Sequence, residues 1–396
     1  MQFAPLRHVA EIRSGVGFPN HLQGRTEGKY PFAKVGDISK LARSGASNLH
    51  GASNYIDDTD LAQLKAKPFP AGTVVFAKIG EAIRQNFRAI LNAPALVDNN
   101  VMGVIPRPEA LDPRYLYHHL MSIDMYPLAQ STTVPSIRKT DLERLQIPLP
   151  PLAQQKRIVA ILDYLDELRS KRRQAITLLD DLILSIFRDT FGEGGWPTEP
   201  LSRVVREGTI VTYGIVQAGN EYPGGVPYIR TGDIKGGEII TGGLRRTSPL
   251  IAEKYARSRV RPGEIVMSIR ATVGTTALVP EELDGANLTQ GTARISPGDR
   301  VSAEYLLAYL RSHEAQSWIQ RQVKGATFRE ITLAKLRELV VPLPPIEQQQ
   351  VFAEQVKHLR GLAKTHRTHL STLDELFASL QQRAFSGTLW DHGTAG

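Results

Sequence analysis

Apolar residues recur at three- and four-residue steps in two long stretches of the chain. In the first they are Leu162, Leu165, Leu168, Ile176, Leu179, Ile183 and Ile186, with Arg172 in the one gap where the pattern wants an apolar side chain. In the second they are Val356, Leu359, Leu362, Leu370, Leu373, Phe377 and Leu380, with His366 in the gap. A single offset carries every member of the first set onto the second. Such spacing lines one face of an α-helix at a heptad period. Each stretch therefore predicts a helix of about 38 residues, ~57 Å long at 1.5 Å per residue. Two seams in one register predict that the helices pair with each other as an antiparallel coiled coil.

Both stretches are entered in the same way. "IPLPPLAQQK" begins at Ile147 and "VPLPPIEQQQ" at Val341, at that same offset. Proline disrupts a helix interior but suits the first turn, where its missing N–H costs nothing. These segments therefore read as joints at which one structure ends and a helix begins. Just upstream, Leu142 and Leu145 match Leu336 and Leu339. Further back, "YPFAKVGDISK" resembles "VPYIRTGDIKG", sharing Gly36, Asp37 and Ile38 with Gly232, Asp233 and Ile234. "PAGTVVFAKIG" resembles "RPGEIVMSIRA", each a turn signal followed by a β-branched run.

The two remaining segments hold short β-branched runs punctuated by Gly and Pro, with helical patches such as "DPRYLYHHLMS" and "SAEYLLAYLRS". This mixture predicts α+β globules rather than an alternating parallel sheet. The expected order is a first globule over 1–150, a long helix over 151–191, a linker and second globule over 192–344, a second long helix over 345–385, and a tail over 386–396. The fold class is α+β with an internal pseudo-twofold repeat.

Composition narrows the function. With 41% hydrophobic residues in 396, the chain has enough apolar material for more than one core. No run is apolar enough to span a bilayer, and the first residues lack the features of a signal peptide. This predicts a cytoplasmic protein. Zero cysteines exclude disulfides and thiolate metal sites. A net charge of +8 and a pI near 9.5 favour an anionic partner.

Catalytic motifs are missing. No GxGxxG or GxxxxGK[ST] loop follows a strand, no GxSxG elbow is present, and Pro-Pro is never followed by an aromatic as in amino-methyltransferases. His118 and His119 point to different faces of a predicted helix, and His366 and His369 lack the glutamate of HExxH. "EGK" at Glu27 has no aspartate before it to complete a nuclease motif. The expectation is no catalytic residue, no metal and no cofactor on this chain.

What remains is a two-headed binder. Basic and amide residues gather near the turns of both globules: Lys34, Lys78, Arg84, Asn86, Arg88, Arg138 and Lys139 in the first, and Arg230, Lys235, Arg245, Arg246, Arg270, Lys324 and Arg329 in the second. Arg and Asn suit base edges in a major groove, and Lys suits phosphates. These are the candidate DNA-binding residues.

The two Pro-rich helix entries, the closing "QQRAFSGTL", and the "GDI" and "GTVVFAKIG"/"GEIVMSIRATVG" pairs together resemble the specificity subunit of type I restriction–modification systems. That resemblance implies a non-catalytic subunit with two target-recognition domains, each reading half of a bipartite site on double-stranded DNA, with a helix pair between them as spacer. It further implies two adenine-N6 methyltransferase subunits and restriction/translocase subunits as partners in a prokaryotic cytoplasm. S-adenosylmethionine, ATP and Mg2+ would be used by those partners. Gln154 and Gln348 depart from the family, which most often has glutamate there. A free-standing two-headed DNA-binding regulator, and an enzyme with its own centre, are the competing readings.

Overall fold

The computed structural model describes residues 2–130, 134–325 and 329–389. The chain forms two compact units, one of Met1–Arg173 with Arg367–Gly396, the other of Gln174–His366. The division runs through both long helices, Leu152–Phe191 and Ile346–Ser386. Each unit is therefore a globule together with half of each helix.

The joints explain how the helices are held. Pro151 and Pro345 stand immediately before the first helical residue, and their carbonyls accept from Gln155 N (3.1 Å) and Gln349 N (3.2 Å). The side chains of these two glutamines are fully buried. Gln155 Nε2 donates to Pro150 O and Ala110 O, both at 2.9 Å, and its Oε1 accepts from Asp112 N at 2.9 Å. Gln349 repeats the pattern with Pro344 O (2.8 Å), Arg300 O (3.2 Å) and Ser302 N (2.9 Å). Each amide ties the helix entry to the start of a globule helix, Pro113–Met121 or Ala303–Arg311. Tyr115 and Tyr305 on those helices reinforce the tie, donating to Pro148 O and Pro342 O at 2.9 Å. Buried polar groups must be paired, and here the pairing fixes the angle of the joint.

Within the first unit a five-stranded sheet runs in the order Ala10–Ser14, Val101–Pro106, Val74–Ala77, Arg88–Leu91, Asn48–Leu49. All neighbours are antiparallel except the last pair. A smaller sheet has Tyr30–Ala33 between Tyr55–Ile56, antiparallel, and Leu96–Val97, parallel. The second unit repeats both sheets, the larger without the fifth, parallel edge strand. Its larger one runs Thr212–Tyr213, Thr292–Ile295, Ile265–Ser268, Thr276–Leu278, and its smaller one has Val226–Ile229 between Arg246–Thr247 and Asn287–Leu288. The smaller sheet has the same antiparallel and parallel neighbours.

Central strands are covered on both faces, which is why they read as continuous apolar runs. Val74 and Phe76 pack towards the Pro113–Met121 helix, while Val75 packs into the core around Ile38 and Leu91. Ile265 and Met267 likewise face Ala303–Arg311, with Val266 on the other side.

In the first unit Ile158 and Leu162 share a core with Phe377, Leu380 and Ala384, and Arg169 Nε bonds Asp374 Oδ1 at 2.6 Å. In the second, Ile183 and Phe187 share one with Phe352 and Val356. The helices are antiparallel in both. The predicted seam is buried or half-buried at every position but one, Arg172 and His366 included. Leu362 is the exception at 43% exposed, and Ala363, at 1%, takes its place. At 3.6 residues per turn, the face that holds Val356 and Leu359 comes round next at 363. Among the described residues no helix is long and apolar enough to cross a membrane.

Candidate nucleic-acid interface

In each unit the middle strand of the smaller sheet ends in a turn stapled by an aspartate. Lys34 N donates to Asp37 Oδ2 and Arg230 N to Asp233 Oδ2, both at 2.8 Å. The following Ile38 and Ile234 are buried. The shared "GDI" is thus a local cap with a core anchor.

Beside it lies a second matched turn at the junction of the two sheets. Val101 N donates to Asp98 O (3.0 Å), and Thr292 N to Thr289 O (3.2 Å). These are β-turns with Asn99 and Asn100, or Gln290 and Gly291, at the corners. A crossing strand holds the residue before each turn: Val16 N donates to Val97 O (3.0 Å) and Ile215 N to Leu288 O (2.7 Å). A Cβ on Gly15 would stand 2.0 Å from Asp98 O, and one on Gly214 1.9 Å from Leu288 O. Only glycine permits that approach. From the other side Lys78 N donates to Asn100 O and Ile269 N to Gly291 O, both at 2.8 Å.

A third matched turn brings cations to this junction. Gly80 N donates to Pro135 O (2.8 Å) and Ile137 N to Lys78 O (2.9 Å), which sets Arg138 and Lys139 beside Lys78. Ala271 N donates to Arg329 O and Ile331 N to Ile269 O, both at 3.0 Å, which sets Arg329 beside Arg270. Lys324 joins them through paired backbone bonds to Glu330. Gly80 has φ 78° and Ala271 φ 57°. The alanine is held in the left-handed region, a strained conformation of the kind that clusters at functional sites.

Electrostatics differ from residue to residue. Burial lowers the pKa of Lys78, with Asp98 opposing, and its Nζ meets Ser14 Oγ at 3.0 Å. Burial raises the Asp98 carboxyl, opposed by hydrogen bonds from Asn100 and by Lys34. The Lys34 ammonium lies 4.8 Å from the Phe18 ring centre. Arg138, Lys139, Lys235, Arg245, Arg246, Arg270, Lys324 and Arg329 are all exposed. Several have partners: Arg270 Nε is 3.1 Å from Glu330, Arg329 Nη2 donates to Gln320 Oε1 at 2.6 Å, and Arg246 Nη1 donates to Gly225 O at 2.7 Å. Arg84 is exposed but set apart, stacked 3.6 Å from the Tyr126 ring centre and paired with Glu81.

Two candidates are built into the framework, Arg88 and Asn86, and a third, Arg230, is paired with Asp233. Arg88 is 2% exposed, stacked on Phe76, and burial lowers its pKa to about 10. Its Nη2 donates to Asn86 Oδ1 at 2.6 Å. Asn86 sits at φ 52° closing a 3-10 turn, with Nδ2 on Ile123 O at 3.1 Å. Asparagine tolerates that conformation. Arg230 is neutralised by Asp233 through both Nε and Nη2. A cation next to a strand can turn inward onto an aromatic as readily as outward, and its position in the sequence does not distinguish the two.

The Gly15/Gly214 crossings, the Asn99/Gln290 turns and the Gln155/Gln349 clamps are not among the residues expected from the sequence. The glutamines were in plain view, one residue beyond Gln154 and Gln348, at the offset of the joints. The turns lie at a slightly different offset, which hid them.

Similarity to known proteins accords with this arrangement. Residues 1–178 and 215–374 match the family model described as the type I restriction modification DNA specificity domain. The EcoBI specificity subunit of Escherichia coli is 27% identical over 333 residues, covering 75% of this chain and 70% of its own. The putative MjaX specificity subunit of Methanocaldococcus jannaschii is 23% identical, covering 97% and 92%. The solved S subunit of a type I restriction–modification system from M. genitalium superposes with a TM-score of 0.55 at 15% identity, over 97% of this chain and 96% of that one.

Proposed function

This chain belongs to the type I restriction–modification DNA specificity family, and from that premise we propose that its two units read the two halves of one interrupted DNA sequence. It is a specificity subunit, a DNA-recognition component that works within a restriction–modification assembly rather than an enzyme. The observation that carries the reading is the duplicated junction: three matched turns, in the same order, that bring cations to one place in each unit. Phosphate contacts from such cations set register, while sequence is read by neutral groups and forked donors between them.

In the proposed assembly two adenine-N6 methyltransferase subunits bind the chain and supply S-adenosylmethionine chemistry, and restriction/translocase subunits use ATP and Mg2+. The chain contributes recognition and spacing. Each long helix passes from one unit into the other, so its length sets the unread gap. The test is a map of methylated adenines in the source genome with and without this gene. The expected result is loss of methylation at one bipartite sequence. Unchanged methylation overturns the reading. Inserting one heptad into both long helices should lengthen the gap and leave the half-sites as they were.

A further inference from the structure

We propose that Asn99 and Gln290 are counterpart base-reading side chains, each recognising an adenine, one in each half of the DNA site. The inference rests on the DNA-reading function proposed above and assigns it to atoms. Both residues occupy the first corner of the matched turns at the sheet junction, immediately after Asp98 and Thr289. Both are primary amides. Asn99 is exposed and Gln290 half-exposed.

Neither amide side chain bonds any side chain or backbone group among the described residues, although the turns that carry them are held by hydrogen bonds. Gln290 N donates to Ile215 O at 2.9 Å, and Asn100 N, next to Asn99, donates to Asp98 Oδ1 at 3.0 Å. A fixed backbone carrying an unused amide is preorganised for a ligand and contributes nothing to the core.

The surroundings suit a base edge between phosphates. Lys34 acts on the Asp98 carboxyl, Asp98 acts on the Lys78 ammonium, and Arg270 borders Gly291. An amide oxygen accepts from adenine N6–H while its NH2 donates to N7, a pairing that no other base offers in the major groove. The exposed cations have carboxylate or carbonyl partners of their own in several cases, so neutral amides are the better readers.

The test is selection from randomised duplexes by the full chain assembled with its methyltransferase subunits. If the wild-type assembly enriches no two-part sequence, the DNA-reading function itself fails, and this assignment with it. Given a two-part sequence, Asn99→Ala should relax one adenine-containing position in one half, and Gln290→Ala one position in the other. Each change should cost roughly 5- to 150-fold in discrimination at that position. Replacing that adenine with 7-deazaadenine should weaken wild-type binding and leave the matching variant unchanged. Equal loss on all sequences, no loss, or a change at both halves from one substitution would overturn the proposal.

Discussion

The two units build one scaffold around different cores. In the second, Phe187, Phe191, Tyr305 and Phe352 form a cluster with ring centres 4.9–5.8 Å apart. In the first, Tyr115 and Phe385 hold the places of Tyr305 and Phe191, 5.3 Å apart, but Gln381 and Ile158 replace the other two rings. Polar groups fill the difference. Asp163 accepts from Arg114 (2.5 Å) and lies 2.7 Å from His118, whose carbonyl accepts from Gln381 at 3.2 Å. Burial alone would raise the Asp163 pKa, but those hydrogen bonds hold it below the usual carboxylate range. The lesson is that volume and polar satisfaction constrain a core, whereas residue type does not. What stays the same is what sets backbone position: the glutamine clamps, the tyrosine-to-proline bonds and the glycine crossings.

The largest expected effect tests that shared part. Gln155→Leu leaves two carbonyls and an N–H unpaired in the interior, and should cost roughly 3 kcal/mol or more. Amide hydrogen exchange should report the loss in the first unit, and Gln349→Leu should mirror it in the second. If one variant is silent, the clamps are not equivalent.

The next effect separates the units. His119 is 5% exposed with no well-formed hydrogen bond to either ring nitrogen, and burial lowers its pKa to about 4, with the Gln146 backbone opposing. Tyr309 stands at the matching place and donates to Val340 O at 2.5 Å. A depressed histidine favours the neutral form in the fold. Its contribution is full above the unfolded pKa of about 6.5 and declines as pH falls towards 4. The first unit should lose about 2 kcal/mol between pH 7 and pH 5, seen as faster exchange confined to that unit. His119→Tyr should remove this pH dependence; persistence of the effect would assign it elsewhere.

A comparable contrast lies at the third turn. Gly80, at φ 78° and ψ −171°, lies in a region only glycine adopts readily, so Gly80→Ala should destabilise the first unit by roughly 1–3 kcal/mol, and Ala271→Gly should not destabilise the second at all, since it relieves the strain. Thermal midpoints would show both. Smallest of all, breaking the exposed Arg270–Glu330 pair with Glu330→Ala should change stability by about 0–1 kcal/mol. Any larger change would make that pair part of the frame.

Much of this was legible in the chain. Repetition is a one-dimensional property, so the joints, the paired helices and the α+β character of the globules could be read from spacing alone. Seam burial follows the heptad pattern: Ala363, seven residues after Val356, is the inward position, and Leu362, one residue short of it, is exposed. The basic residues were harder. Arg88 and Arg138 look alike in sequence, yet one lies on Phe76 within the core and the other is exposed.

By itself, then, the sequence determined that there are two similar halves, where each helix begins and that no catalytic motif is present, because local pattern and period suffice for such features. Tertiary structure alone decided which halves of the helices join which globule, which amides are clamps and which are free, and which turns meet at the sheet junction. Those depend on atoms brought together from Gly15, Lys78, Asp98 and Ser136, or from Gly214, Arg270, Thr289 and Glu330. Packing, not neighbourhood along the chain, makes them neighbours.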